Sequence, residues 1–328
     1  MIPVTIVTGF LGSGKTTLIA EILRQPGFEG TLVVVNEFGE VGIDHDLLES
    51  SSEDTILLAN GCLCCTIRGN LVDTLDSAIQ QREQGRLRAF DRVVVETSGL
   101  ADPAPFLGFL YQEAAFHERF SVAGVVTLVD AASPDTLARF PEAASQVRMA
   151  DRVILSKTDL ASAQAIAALE QEIRALNPDA DLRHAVRGQI EPAAIFDLHR
   201  AMPQIHGHRH QHHHHHHHEH DDAEAVARRH HGISRCAVTL PPLDPAALGR
   251  VLAVLRGAMG PHLLRAKGLL RLTGDARIAL IQGTLTALAP PEYLPLAIEG
   301  EGRLVLLLQN DDGAALEAAL LAAAQKPT

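Results

Sequence analysis

One stretch constrains this chain more than any other: Gly9-Phe10-Leu11-Gly12-Ser13-Gly14-Lys15-Thr16-Thr17, directly after the apolar run Val4-Thr5-Ile6-Val7-Thr8. A strand, a G-x-x-x-x-G-K-T loop and helix-compatible residues follow one another without a gap. Such a loop works only where a buried strand feeds a helix, so it commits the chain to an α/β sheet. The glycines let backbone N–H groups curl around phosphates at a helix N-terminus, where the dipole favours negative charge. Lys15 then reaches the β- and γ-phosphates, and the Thr16 hydroxyl is placed to ligate Mg²⁺. Gly12, Ser13, Gly14, Lys15, Thr16 and Thr17 are therefore the candidate phosphate-side residues. The competing reading, a chance Gly-rich turn, does not account for strand, loop and helix all falling where phosphate binding needs them.

The first 200 residues repeat the alternation. Apolar runs at Val4–Thr8, Thr31–Val35, Thr55–Leu58, Arg92–Glu96, Gly124–Val129 and Arg152–Leu155 are separated by helical patterns such as Gly14–Leu23, Asn70–Arg82 and Ser162–Leu176. Nearly continuous Val/Ile/Leu runs suit strands buried on both faces of a mostly parallel sheet. Composition then changes abruptly: His206–His220 holds 11 histidines in 15 residues, followed by the acidic Asp221–Glu224. No packed element buries such a segment, which reads as a linker. Beyond it come a strand at Ile233–Leu240, a helix at Pro245–Arg256, two or three more strands to Leu288, another at Leu304–Leu308 and a final Ala/Leu-rich helix. The expected fold class is α/β: a P-loop domain with a mostly parallel sheet over 1–200, a His-rich linker over 201–231 and a smaller α+β domain over 232–328. A chain of 328 residues, 46% of them hydrophobic, is long enough for two cores.

The base is read further along. After Val153–Leu155 comes Ser156-Lys157-Thr158-Asp159, which resembles the NKxD motif of GTPases with Ser in place of Asn. There the Asp carboxylate accepts both guanine N1–H and N2–H; adenine offers no donors at that edge and would leave the carboxylate unpaired. Lys157 and Asp159 thus join the nucleotide set, and GTP is the expected nucleotide. Between the two motifs lies Val93-Val94-Val95-Glu96-Thr97-Ser98-Gly99-Leu100. Glu96, closing a buried strand, matches the second phosphate-side element of P-loop proteins, and Gly99 gives a γ-phosphate sensor its freedom. Lys15, Thr16 and Glu96 are the candidate catalytic residues. No side chain announces itself as a water-activating base, so slow intrinsic hydrolysis is expected.

A second constellation is Asn60-Gly61-Cys62-Leu63-Cys64-Cys65. Soft thiolates suit Zn²⁺, Cu⁺ and related ions, and three within four residues can face one ion. Three sulfurs leave a fourth position open, which suits a metal that is handed on. Buried structural thiols or a redox switch are the bland alternatives; Cys236, far downstream, is a poor fourth ligand. The segment Asn36-Glu37-Phe38-Gly39-Glu40-Val41-Gly42-Ile43-Asp44-His45 follows the second apolar run, where a switch loop normally covers the nucleotide. Its Glu37, Glu40, Asp44 and His45 are hard or borderline ligands, and a loop touching both ions would couple nucleotide state to metal affinity. The bland reading of that segment is a solvated acidic loop.

Taken in order, GFLGSGKTT, NEFGEVGIDH, NGCLCCT, ETSGLADP, VTLVDA and SKTD resemble the CobW-like family of metal-handling P-loop GTPases, relatives of the urease and hydrogenase nickel-insertion GTPases. Arg265-Ala266-Lys267-Gly268, placed before a strand, resembles that family's smaller C-terminal domain. The resemblance implies Cys62, Cys64 and Cys65 as metal ligands, with Glu37 as an accessory. It implies a GTP-hydrolysing metallochaperone, closest to the zinc-linked branch, that loads Zn²⁺ (with Co²⁺ or Ni²⁺ as other cargoes) and delivers it to a client metalloprotein. It also implies a homodimer across the nucleotide face. The alternatives are a cobalt chaperone for cobalamin synthesis, a metal buffer in which GTP is structural, and a small-molecule kinase, which SKTD and CxCC both disfavour.

The histidine tract fits this picture as a low-selectivity antenna for Zn²⁺, Ni²⁺, Co²⁺ or Cu²⁺ that raises local metal concentration, against a plain spacer or pH-sensitive linker. Isolated His117, His184, His199 and His262 read as surface or core residues. With 28 basic against 40 acidic residues the formal charge is -12, and nucleic acid is not an expected partner. The N-terminus lacks a signal-peptide pattern, no run is long enough to span a membrane, and the clustered thiols are not disulfide partners; the expected compartment is the cytoplasm.

Overall fold

The computed structural model describes residues 1–26, 28, 30–35, 55–57, 67–191, 193–196, 198, 233–260, 262–284, 287–295, 298, 300–311 and 313–325. Contacts divide the chain into two compact units, Met1–Pro103 with Ala115–Arg229, and Ala104–Ala114 with His230–Thr328.

In the first unit the strands are β1 (Ile2–Gly9), β2 (Thr31–Val35), β3 (Thr55–Leu57), β4 (Arg92–Glu96), β5 (Phe120–Asp130), β6 (Arg152–Ser156) and β7 (Asp181–His184). The helices are α1 (Lys15–Leu23), α2 (Ile67–Glu83), α4 (Ala114–Arg119), α5 (Thr136–Arg139), α6 (Pro141–Met149), α7 (Ala163–Leu176) and α8 (Ala193–Phe196), while α3 (Pro103–Gln112) falls almost wholly in the second unit. The strands form one sheet in the order β3-β2-β4-β1-β5-β6-β7, and every pairing in it is parallel.

The Val/Ile/Leu runs are what make this sheet two-sided. All five residues of β2 and of β6 are buried. Successive side chains face opposite ways: Ile154 packs with Val7, Leu18, Ile19 and Val126 on one face, whereas Val153 and Leu155 pack with Val147, Leu169 and Ile173 on the other. Helix α7 shows how an outer element is set locally. Ser162 caps it by accepting from Ala165 N, and Leu169, Ile173 and Leu176 put one stripe against the sheet.

Two strands differ from expectation. β5 begins at Phe120 rather than Gly124, because Ser121, Ala123 and Gly124 dilute an otherwise apolar run that is nonetheless buried. The edge strand β7, with the sequence Asp-Leu-Arg-His, carries no apolar run at all and is held by pairing to β6.

In the second unit β8 (Ile233–Leu240), β9 (Leu263–Arg271), β10 (Ile278–Thr284), β11 (Ala287–Leu288), β12 (Glu292–Leu294) and β13 (Gly302–Gln309) join α9 (Pro245–Ala258) and α10 (Ala314–Gln325). The sheet runs β11-β10-β9-β13-β8, with β12 beside β10; its pairings are antiparallel. Val251 and Leu255 of α9 and Leu320 of α10 share a core with Leu240, Leu270 and Leu306 of the sheet. In α3, counted with this unit, the Tyr111 hydroxyl donates to Gln282 Oε1 at 3.3 Å.

Arg265-Ala266-Lys267-Gly268 lies inside β9 and not before it. The alternation of long cationic and small side chains is a period-2 pattern: Ala266, Gly268 and Leu270 are buried while Arg265, Lys267 and Leu269 are half-buried. Among the described residues no helix is long and apolar enough to cross a membrane.

Candidate nucleotide site

The site is assembled from the C-terminal ends of β1, β4, β5 and β6, where an open α/β sheet presents its loops to ligands. Gly14 is the N-cap of α1 with φ 91°, a left-handed conformation that a Cβ would strain. This turn brings Lys15 in at the first helical position, buried at 6% exposure. Its ammonium donates to Gly9 O at 2.9 Å and to Phe10 O at 3.4 Å. Both are neutral acceptors on the loop itself, and a phosphate oxygen is the stronger partner for an ammonium. Gly12 and Thr17 are exposed at the loop and the first turn of α1, and Ser13 is buried beneath them.

Thr16 Oγ1 donates to Glu96 Oε1 at 2.8 Å, joining the start of α1 to the end of β4. A hydroxyl beside a carboxylate that is 1% exposed is a set of hard oxygen donors. This chemistry fits Mg²⁺, which favours one or two protein oxygens completed by water and phosphate. The next residue fastens the strand end further: Thr97 Oγ1 donates to Thr8 Oγ1 at 2.8 Å and Thr97 N to Val7 O at 2.9 Å.

On the β6 side, Ser156 Oγ donates to Ser13 O at 2.7 Å, tying the strand end to the phosphate loop. Lys157 adopts φ 54° at the start of a short 3-10 turn. Its ammonium reaches back to Gly12 O and to Asp130 Oδ2, both at 2.7 Å. The lysine stem is thus laid beside the phosphate loop while Asp159, in the turn that follows, stays partly open with Arg187 Nε at 3.9 Å. A carboxylate on that open turn, next to a flat aliphatic stem, is a competent receiver for a purine edge.

Three residues without a role in the sequence reading hold this arrangement. Asp130 ends β5 and anchors Lys157; the sequence showed it in VTLVDA without revealing its partner. Gln146, wholly buried on α6, donates from Nε2 to Gly99 O at 3.1 Å and Ala101 O at 2.9 Å. Asn177 donates from Nδ2 to Val147 O and Ala150 O, both at 2.8 Å, and to Arg148 O at 3.2 Å, closing the C-terminus of α6. Ser145 Oγ donates to Asp102 Oδ1 at 2.9 Å, and burial lowers the Arg148 pKa while the charge of Asp102 pulls it back up.

Cys62, Cys64, Cys65, Glu37, Glu40, Asp44, His45, His199 and the tract 206–220 lie outside the described residues. Among the described residues no group of three or more His, Cys, Asp or Glu side chains is placed to hold a metal. Cys236 is buried in the second unit, its thiol 3.9 Å from Gly313 O. His184 pairs with Glu170 at 2.8 Å, His262 Nδ1 sits 3.0 Å from Gln309 O, and His117 stands edge-on to Phe116.

With phosphate loop, acidic strand end and SKTD turn on one edge of a parallel sheet, comparison with known proteins becomes decisive. Residues 3–183 match the family model described as CobW/HypB/UreG, nucleotide-binding domain. The chain belongs to the CobW/HypB/UreG family. Residues 234–324 match the cobalamin synthesis protein cobW C-terminal domain. Zinc chaperone YjiA of Escherichia coli K12 is 33% identical over 293 residues, covering 86% of each chain. Zinc-regulated GTPase metalloprotein activator 1 of Schizosaccharomyces pombe is 34% identical over 206 residues, 60% of this chain and 49% of that one. Among solved structures, Zn(II)-bound YjiA GTPase from E. coli superposes with a TM-score of 0.66 at 26% identity, covering 99% of both chains.

Proposed function

We propose that this CobW-family GTPase loads a divalent metal, zinc first, at Cys62-Leu63-Cys64-Cys65 and hands it to a client metalloprotein in step with GTP hydrolysis. The observation that carries the reading is topological. The chain enters the thiolate segment from the C-terminal end of β3 and leaves it into α2. β3 is parallel to β2, and through β4 to β1, so its C-terminal end lies on the same edge of the sheet as the phosphate loop. The relatives' names, a zinc chaperone and a zinc-regulated metalloprotein activator, support the same cargo and a client protein. The domain division 1–200, 201–231 and 232–328 belongs to this proposal, as do a cytoplasmic location and a homodimer across the nucleotide face.

In this mechanism the N–H groups of Gly12–Thr17 receive the phosphates, Lys15 binds the β- and γ-oxygens, and Asp159 accepts guanine N1–H and N2–H while Lys157 flanks the base. Thr16 and Glu96 would hold Mg²⁺. When bound, it neutralises charge on the β- and γ-phosphate oxygens. Water attacks the γ-phosphorus, the bond to the GDP oxygen breaks, and no side chain of the described site is placed as a base, so turnover is slow. Glu37 is proposed as an accessory zinc ligand, and the tract 206–220 as the metal antenna.

The test is Zn²⁺ affinity by competition titration with Mg²⁺ present, comparing the chain with its C64S/C65S variant in nucleotide-free, GDP and non-hydrolysable GTP-analogue states. The thiolate-dependent affinity is expected to differ at least about tenfold between the GTP-like and GDP states, a coupling of about 1.4 kcal/mol. Equal affinities would leave a metal-binding GTPase with two independent sites.

A further inference from the structure

We propose that Gln146 is a positioning residue for GTP hydrolysis, a latch that sets the loop following β4 against the tip of the phosphate loop. The inference rests on the GTPase reaction alone and is independent of metal delivery. Gly99 lies so close to the tip that a Cβ there would sit 2.7 Å from Leu11 Cδ2 and 2.8 Å from Leu11 N. Any movement of this loop is therefore felt by the residues that surround the phosphates. Its N-terminal end is pinned through Thr97 to Thr8 and Val7. Its C-terminal end is held from α6, where both N–H groups of the Gln146 amide go to Gly99 O and Ala101 O and Ser145 Oγ donates to Asp102 Oδ1.

The amide orientation is decided by those partners. Turned over, the oxygen would face two carbonyl oxygens and repel both. The base of the latch is rigid: Gln146 O accepts from Thr127 Oγ1 at 2.8 Å, and Asn177 holds the carbonyls that follow.

Its far side is not rigid. Gln146 Oε1 and Ser13 Oγ have no hydrogen-bond partner among the described residues. Gln146 and Ser13, 0% and 1% exposed, both line a cavity of about 210 Å³ with Phe10, Leu128, Asp130 and Leu137. A buried acceptor without a donor raises the energy of the arrangement that contains it, and the cavity gives the side chain room to turn. The latch is thus a two-position element between phosphate loop and sensor loop, the kind of element that a γ-phosphate biases.

The test uses the full chain with Mg²⁺ and no added zinc. Q146E is isosteric but leaves at most one donor, on the protonated carboxyl; Q146M is close in size, carries no donor and is compatible with the buried site. In either variant kcat for GTP should fall about tenfold or more, GDP affinity should stay within about twofold, and the preference for a GTP analogue over GDP should shrink. On the wild-type chain, amide exchange in 97–102 and in 143–149 should change together between GDP and GTP-analogue states. A folded Q146M with kcat within twofold of wild type would overturn the proposal. So would an equal loss of both nucleotide affinities accompanied by a lower Tm, or a change in the loop's exchange without one in the helix.

Discussion

Guanine and xanthine differ at the edge proposed to face Asp159, where guanine carries an amino group and xanthine a carbonyl. An Asp159→Asn chain keeps one donor and one acceptor there, which mismatches the two guanine donors and matches the xanthine edge. GTP affinity is expected to fall on the order of 100-fold or more while xanthosine triphosphate gains, read by fluorescent-nucleotide competition. Asp159 could be proposed from the sequence because a short motif at a strand end exposes its own logic. Gln146 could not, although a signal existed. It lies three residues after Ala143 and four before Ala150, on the buried face of α6, where a polar side chain needs partners. Those partners, Gly99 O and Ala101 O, lie more than 40 residues away along the chain, and no local pattern names them.

Elements show the same division. Runs of Val, Ile and Leu announced β2 and β4 to the residue, since a strand buried on both faces has little choice of composition. β7 has one face on the sheet edge and few buried atoms, so nothing in Asp-Leu-Arg-His distinguishes it from a turn. Helix α6 depends on a residue outside itself, because Asn177 at the end of α7 supplies donors to three of its C-terminal carbonyls. Asn177→Ala removes these donors, although Val147 O keeps the Ala150 N–H, and should cost about 1–3 kcal/mol. The urea midpoint should fall with an unchanged m-value. Because α6 carries Gln146, the same substitution should slow hydrolysis more than it weakens GDP binding.

Across the whole molecule, the family models over 3–183 and 234–324 and the two compact units agree that the chain carries two cores. One part of the second unit, Ala104–Ala114, comes from the N-terminal half of the sequence. Nothing in PAPFLGFLYQ betrays this, because an apolar helix reads the same whichever core receives it. The strand order has a temporal meaning of its own. β1 is made before the other strands of its sheet, yet it lies between β4 and β5, and its neighbours are complete only at Asp130. Until Glu96 the phosphate loop has no strand ladder on either side to hold its turn, and until Asp130 it has one on the β4 side alone. Ribosome-bound chains that expose residues only up to Phe120 should therefore retain no GTP, whereas chains exposing all of 1–200 should retain it. While the first 96 residues are made, the strand that leads into the phosphate loop exists as unpaired apolar chain, and the strand of this sheet made first waits for partners that come fourth and fifth.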